Sequence, residues 1–473
     1  MNKRFQLFCF ITIVSLIFLP SLKVSAQSAG DLPVYIVQSG DTINTIAIRF
    51  GISAQDLIAV NQISNPDLLT IGTPLRIPGY EGISGTLKLT VAPLGATLRT
   101  ISRQYQVDEN TIVRLNQLTS PSQIYVGSTL ILPEKEQAVD PKPIAILGEG
   151  ETSLETAARS YSNPWKLVLQ NRKESTALFL SGELIFSDAP QQSGGLFGSP
   201  LIQNIEITPL PLRQGKTHLI RVLTSTPLNL SGTLNNLPLS FFQEADNQYI
   251  AIQGIHAMAQ PGLALLTLQA QADDQSSFAF EQPILLEPGY YPQDVPLAVD
   301  PATLDPAITQ PEDELIRTIT KPATPQRYWT EKFRVPVDEP CIRSWFGSRR
   351  SYNNSGYKYF HTGVDYGVCA NNLNIYAPAP GRVVYVGELT VRGISTIIDH
   401  GWGIYSGFWH QSSTKVNVGD FVETGQIIGE IGGTGRATGP HLHWEVWANG
   451  VQVEPLDWLE RLCNPFSVKL SQK

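Results

Sequence analysis

A fixed interval of 55 residues constrains this chain more than any other feature. Gly40, Gly95 and Gly150 stand 55 apart, and so do Thr42, Thr97 and Thr152, then Asn61, Asn116 and Asn171, then Gly72, Gly127 and Gly182. Pro78 and Pro133 continue the series, with Asp188 in that place in the third copy. Four landmarks holding one period mean internal repetition. In the first copy, residues 35–43 are strand-like and end in a Gly-Asp-Thr turn. Thr42 or Asp41 is placed to cap a helix over 43–50, with Ile43, Ile46, Ala47 and Phe50 on one face. A second short helix over 53–61 and a strand over 71–78 complete a β-α-α-β order. The three copies span 34–79, 87–134 and 143–189.

These units resemble LysM modules, which bind N-acetylglucosamine polymers such as peptidoglycan and chitin. The resemblance implies a shallow glycan groove formed by the loops after the first strand and before the last. The first copy fits over its whole length. The second has Ala96 where the first has Asp41, and the third, with Ser162-Asn163-Pro164-Trp165 inside it, is degenerate. The competing reading makes the repeats spacers or protein-binding modules.

With 473 residues the chain exceeds a single core, and three or more domains are expected. A net charge of -8 and a pI near 5.5 argue against nucleic acid as a partner. Lys3 and Arg4, an apolar run over 5–22 and Val24-Ser25-Ala26 read as a signal peptide over 1–26, cleaved or kept as an anchor. No later segment is apolar enough to span a bilayer. The expected location is secreted, or at the cell surface or periplasm, associated with the wall. Cys9 goes with the signal. Of Cys341, Cys369 and Cys463, two are expected to pair in an oxidising compartment, and the sequence does not choose which.

Gln191-Gln192-Ser193-Gly194-Gly195 reads as a flexible linker. Short β-rich runs separated by turn signals over 200–290 predict a β-sandwich serving as a spacer or docking domain, in which His218 and His256 are structural or exposed. Residues 291–332 read as a linker, extended from Pro292 to about Pro311 and forming a short helix over 312–319.

The last domain, 333–463, is dense in Gly, Val, Ile and aromatic residues and predicts a mostly antiparallel β fold. His441, His443 and Glu445 alternate with Leu442, Trp444 and Val446, so both imidazoles lie on one face of a strand. His361-Thr362-Gly363-Val364-Asp365 adds an imidazole and a carboxylate four apart, and the Gly and Val between them favour extended chain over helix. Two His and one carboxylate make a standard three-ligand set for catalytic Zn²⁺ with an open fourth position. His361 and Asp365 would take one histidine of the later strand, leaving the other beside the open position as a general base. His410 ends a strand between the two motifs and is placed to steady an oxyanion or orient water. His400 reads as a turn residue, and Tyr357 or Tyr359 as a transition-state aid.

His361-x-x-x-Asp365 with His441-Leu442-His443 resembles the lysostaphin/LytM-type zinc endopeptidases of the cell wall. Trp345-Phe346-Gly347-Ser348-Arg349, Tyr376-Ala377-Pro378-Ala379-Pro380-Gly381 and Gly432-Gly433-Thr434-Gly435 agree. The resemblance covers roughly 333–458. It implies that His361, Asp365 and His443 bind zinc and that His441 and His410 are the non-ligand catalytic histidines. All five positions are filled, whereas some relatives have lost ligands and only activate amidases.

The expected architecture is multidomain: α+β LysM-like repeats, a central β-sandwich, and a C-terminal antiparallel β metallopeptidase domain. The expected function is a secreted, zinc-dependent peptidoglycan endopeptidase, with glycan strands held by the repeats and peptide stems or cross-bridges cut in the C-terminal groove. The rival readings are a non-catalytic wall-binding scaffold or activator of cell-wall amidases, and a chitin-directed binding protein.

Overall fold

A computed structural model describes residues 32–134, 143–148, 150–187, 199, 201–272 and 276–460. The signal segment, the 191–195 linker and Cys463 lie outside the described residues. The chain divides into two compact units, Met1–Lys88 and Leu89–Lys473. Among the described residues no single helix is long and apolar enough to cross a membrane.

The first unit holds the first repeat. Strand Val34–Ile36 pairs antiparallel with Pro74–Arg76, and helices Ile43–Phe50 and Ala54–Asn61 lie between them. The periodic residues each have a structural task. Thr42 is the helix cap: its Oγ1 accepts from Thr45 N at 3.1 Å, and Thr45 Oγ1 accepts from Thr42 N at 2.8 Å. Asp41 instead accepts the Tyr35 hydroxyl at 2.7 Å and pairs with Arg49 at 2.9 Å. The Asn61 side chain acts as one residue of an extra strand, donating to Arg76 O and accepting from Arg76 N at 2.8 and 2.7 Å. Gly40 and Gly72 have φ of 85° and 88°, a left-handed conformation that favours glycine.

In the second unit the next two copies use the same devices. Thr97 and Thr152 cap helices Leu98–Gln104 and Ser153–Arg159. Asn116 clasps Ile131, and Asn171 clasps Phe186, each through a donor and an acceptor. The third copy keeps this scaffold despite its divergent sequence.

Residues 202–287 form two facing sheets, with a core that includes Ile220, Val222, Ala251, Leu266 and Phe280. The sandwich is no detached spacer. Alternate residues of its four-stranded sheet, Leu219, Ile250 and Ile252, enter the core of the C-terminal domain. Phe242 stacks on Trp402 with centroids 5.2 Å apart, Asn449 donates to Gln253 Oε1 at 2.7 Å, and Lys216 pairs with Asp457 at 2.8 Å.

The connector also departs from the expectation. Residues Pro306–Thr320 are one helix, starting within the stretch expected to be extended. Asp305 caps it by accepting from Ala307 N at 2.9 Å, and Pro306 stands at the first turn, where its missing N–H costs nothing. Pro311 sits inside it and forfeits one helical hydrogen bond. Burial compensates: Ile316 packs with Ile397, Tyr405, Trp409 and Trp447, worth about 2 kcal/mol for the isoleucine alone.

The C-terminal domain is built on one large, mostly antiparallel sheet. Its strands are β1 (Ile342–Ser344), β2 (Val364–Gly367), β3 (Gly381–Leu389), β4 (Gly393–Gly401), β5 (Ile404–Thr414), β6 (Ile427–Ile431) and β7 (His441–Ala448). The order is β1-β2-β7-β5-β4-β3, with β6 paired to β5. Even-numbered residues of β7, Leu442 to Ala448, enter the core shared with the sandwich. Odd-numbered residues face the other way, and there Trp447 lies under the connector helix. A disulfide joins Cys341 to Cys369, tying β1 to the chain just after β2.

Candidate active site

Register brings the two motifs together. β2 and β7 pair with Asp365 opposite His443 and Gly367 opposite His441, and paired residues of an antiparallel ladder share a face. His361 lies just before β2, and the chain reaches it through Gly363. A Cβ there would lie 2.2 Å from Trp444 O and 2.8 Å from His443 Nε2, so glycine allows this approach.

Three donor atoms converge. His361 Nε2 is 3.0 Å from Asp365 Oδ1 and 3.0 Å from His443 Nδ1, and His443 Nδ1 is 2.8 Å from Asp365 Oδ1. All three residues are buried. The remaining ring nitrogens fix the tautomers. His361 Nδ1 donates to Trp345 O at 2.9 Å, and His443 Nε2 donates to Glu445 Oε1 at 3.0 Å. With both rings neutral, as ligation requires, two imidazole lone pairs and a carboxylate oxygen face one another. Acceptors so close, out of water, call for a cation at their centre, and an N₂O set of two His and one Asp fits Zn²⁺.

The electrostatics divide the three. Burial tends to lower the His443 imidazole, but without a metal the carboxylates of Asp365 and Glu445 on its two nitrogens hold it above its usual range, so zinc would displace a proton there. Burial holds the His361 imidazole down to about 4, so it is neutral and able to ligate. Burial tends to raise the Asp365 carboxyl, but the imidazoles of His361 and His443 outweigh it and hold the group well below the usual carboxylate range. Burial likewise tends to raise Glu445. Its bond from His443, the nearby Arg392 guanidinium and a bond from Thr362 bring it down to about 2.

The other two histidines stand beside the cluster. His441 Nε2 is 3.7 Å from Asp365 Oδ1, and the His410 and His441 rings lie 4.9 Å apart. His410 reaches this face through an irregularity in β5. Between Thr396↔Phe408 and Ile394↔Gln411, one residue of β4 faces two of β5, and His410 takes φ of 62°. That left-handed conformation costs about 1 kcal/mol for a non-glycine residue and turns the ring toward His441. His410 Nδ1 donates to Thr434 O and His441 Nδ1 to Gly439 O, each at 2.8 Å. Each ring thus keeps Nε2 as a bare acceptor. Burial, with the His443 and His441 imidazoles close by, holds His410 down to about 3.

The remaining candidates lie elsewhere. The Tyr357 hydroxyl donates to Asp294 O at 3.0 Å, and Tyr359 packs on Tyr352. His400 is no turn residue: it is buried within β4, between Pro380 O at 2.8 Å and Ser406 Oγ at 3.0 Å. His218 is buried against Pro209 O, and His256 is exposed beside Phe360.

Two supporting residues had no role assigned from sequence. Glu445 takes the His443 ring, the Thr362 hydroxyl and, at Oε2, Gln452 Nε2 at 3.0 Å. Its place two residues after His443 put it on the same face, which was the available signal. Arg350 donates to Ser344 Oγ at 2.8 Å and approaches Asp365 Oδ2 at 3.4 Å, and no sequence pattern marks it.

Comparison with known proteins matches two parts of the chain. Residues 359–455 match Peptidase family M23, and residues 35–78 and 95–133 match the LysM domain. The chain thus carries LysM domains and a C-terminal M23 peptidase domain. A peptidoglycan DD-endopeptidase, ShyC of Vibrio cholerae, is 35% identical over 122 residues, 26% of this chain and 28% of the relative. The murein hydrolase activator EnvC of Escherichia coli is 34% identical over 92 residues, 20% of this chain and 22% of its own length. The chain spans about a quarter of the length of the curated relatives it matches. A crystal structure of a putative M23 peptidase from Pseudomonas aeruginosa aligns at 25% identity over 52% of this chain and 93% of that one, with a TM-score of 0.39.

Proposed function

We propose that this protein is an exported cell-wall hydrolase, a zinc-dependent endopeptidase that cuts peptides of peptidoglycan while its LysM repeats hold the glycan. The observation that carries this reading is the buried, converging cluster of His361, Asp365 and His443 with two further imidazoles beside it. These three side chains would hold the metal, and Glu445 and Trp345 O orient the two imidazoles. Zinc bound there supplies Lewis acidity toward the scissile carbonyl and the attacking water.

The residues around it perform the rest. His441 Nε2, bare and nearest the cluster, takes a proton from the attacking water and returns it to the leaving amine. His410 Nε2, also an acceptor, holds the other hydrogen of that water. Of its two expected roles, the tautomer favours orienting water over steadying an oxyanion, which needs a donor. In the first repeat, Leu68 and Ile71 are exposed on the loop before the last strand, where the glycan groove is expected.

The DD-endopeptidase names of the relatives point to the peptide cross-link as the bond cut. The activator reading draws on the EnvC match, and the five retained side chains weigh against it. The test is digestion of purified, cross-linked muropeptides by the full chain, read by mass spectrometry, with and without a chelator. Cleavage products that vanish with chelator and return with zinc are expected. Intact muropeptides under metal-replete conditions would reject the enzymatic reading.

A further inference from the structure

The connector helix covers part of the sheet face that carries the candidate site, and one of its side chains is not spent on the apolar contact. Glu312 is 6% exposed. Its carboxylate accepts from Val391 N at 3.0 Å, Arg392 N at 3.2 Å and Arg392 Nη1 at 2.8 Å, and Arg392 Nη2 reaches the neighbouring Asp313 at 3.0 Å. A carboxylate taking two consecutive backbone N–H groups and a guanidinium fixes a turn in a way no neutral group of its size can.

That turn in turn holds the two parts of the site that are not metal ligands. Arg392 O accepts the backbone N–H of His410 at 2.9 Å, and Val391 O accepts that of Arg436 at 2.8 Å. The first bond is made by the residue in the left-handed conformation that aims the His410 ring. The second holds the 432–440 loop, in which Thr434 O receives His410 Nδ1 and from which the chain enters His441. The Arg392 guanidinium also lies over the Trp409 ring, 5.6 Å from its centroid. The route from helix to imidazole is thus Glu312, the Val391–Arg392 turn, then His410.

We infer that Glu312 is a positioning residue for His410, so that the connector helix is part of the catalytic unit although it lies outside the segment matching the peptidase family. This rests on the reading of the site as a peptidase. Without the carboxylate, the turn loses its anchor, the left-handed conformation at His410 is no longer held from both sides, and the ring moves away from its place beside His441. The metal cluster is built on β2 and β7, and the turn bears on it through the charge of Arg392 near Glu445 rather than through its backbone.

The test uses the full chain with Glu312→Ala, Glu312→Gln and, as a control on the exposed side of the same helix, Arg317→Ala. The expected result for Glu312→Ala is a fall in kcat of about tenfold, with KM and zinc content unchanged. Glu312→Gln, with one acceptor oxygen in place of two, should fall between it and the wild type, and Arg317→Ala should match the wild type. In a His410→Ala background, Glu312→Ala should cost nothing further. Amide hydrogen exchange at His410 should accelerate in Glu312→Ala while that at His443 does not. That measurement decides the coupling even if the wild type hydrolyses nothing, an outcome that would reject the peptidase reading instead. An unchanged exchange rate at His410, or a loss of activity that multiplies with His410→Ala, overturns the inference.

Discussion

The two histidines of β7 are equivalent in sequence and inequivalent in space. His443 faces Asp365 across the ladder and gives its outer nitrogen to Glu445, so its inner nitrogen belongs to the cluster. His441 sits one step along, opposite Gly367, with no carboxylate on its outer nitrogen. Their replacements should therefore separate. His443→Ala is expected to lose both zinc and hydrolysis, and His441→Ala to keep zinc and lose hydrolysis. Metal analysis by mass spectrometry alongside the muropeptide assay distinguishes them, and full zinc in His443→Ala would remove that residue from the ligand set. The alternation of β7 made the shared face of His441, His443 and Glu445 legible from the sequence. It could not show that Glu445 supports the ring of its neighbour, because that depends on a rotamer and on Thr362 and Gln452 arriving from other strands.

Among the elements, the repeats were read from their spacing, and the structure gives the physical reason for it. A capping Thr, an Asn that pairs with the closing strand and glycines in left-handed turns are the points where side-chain identity is dictated by backbone demands. The rest of each copy needs only apolar residues of suitable size, and so it varies. Asn171→Ala should cost about 2 kcal/mol, since it strands the Phe186 N–H and C=O in a buried setting. Thermal unfolding of the full chain measures it, and a shift indistinguishable from zero would deny the clasp its role. The connector helix was only partly legible. Its C-terminal half reads as helical, but Pro306 and Pro311 made its start look extended, and the apolar face that offsets Pro311 is covered only by a sheet distant in sequence. His410 could be found as a histidine at a strand end. Its orientation could not, because an irregularity of register belongs to two strands at once.

At the scale of the molecule, the sandwich and the C-terminal domain share one core, and a half-buried acid lies where they meet. Glu454 donates its N–H to Gly215 O, and its carboxyl is pushed up to about 7, chiefly by burial, with Asp457 adding to the effect and Lys216 opposing it. Tyr291 and Tyr366 face it from the same interface. A carboxyl that holds its proton more tightly when folded favours the folded state at low pH and withdraws that support as pH rises from its unfolded value near 4.5 to about 7. The full effect is up to about 3 kcal/mol. Melting temperatures measured between pH 5 and 8 should therefore fall with pH through this group, and Glu454→Gln should flatten the fall. An identical pH profile in the variant would exclude it as the source. On the proposed function the repeats act at the same scale, by binding glycan and raising the local concentration of substrate. Deleting residues 33–134 should abolish retention on insoluble peptidoglycan while leaving cleavage of small soluble muropeptides within about twofold. Undiminished retention would make the repeats spacers.

The sequence by itself determined what is local or periodic: three β-α-α-β units, a β-sandwich, an antiparallel last domain and which five residues to propose for the site. Caps, turns and strand alternation are set by neighbours along the chain, and histidines with a carboxylate are rare enough to be matched across it. Only the tertiary structure decided which nitrogen of each histidine faces the cluster, which cysteine partners Cys341, that the sandwich is docked rather than tethered, and that a helix of the connector grips the turn behind His410. Each of these depends on groups that meet through strand register or buried packing across wide sequence separations, and no local pattern records such meetings.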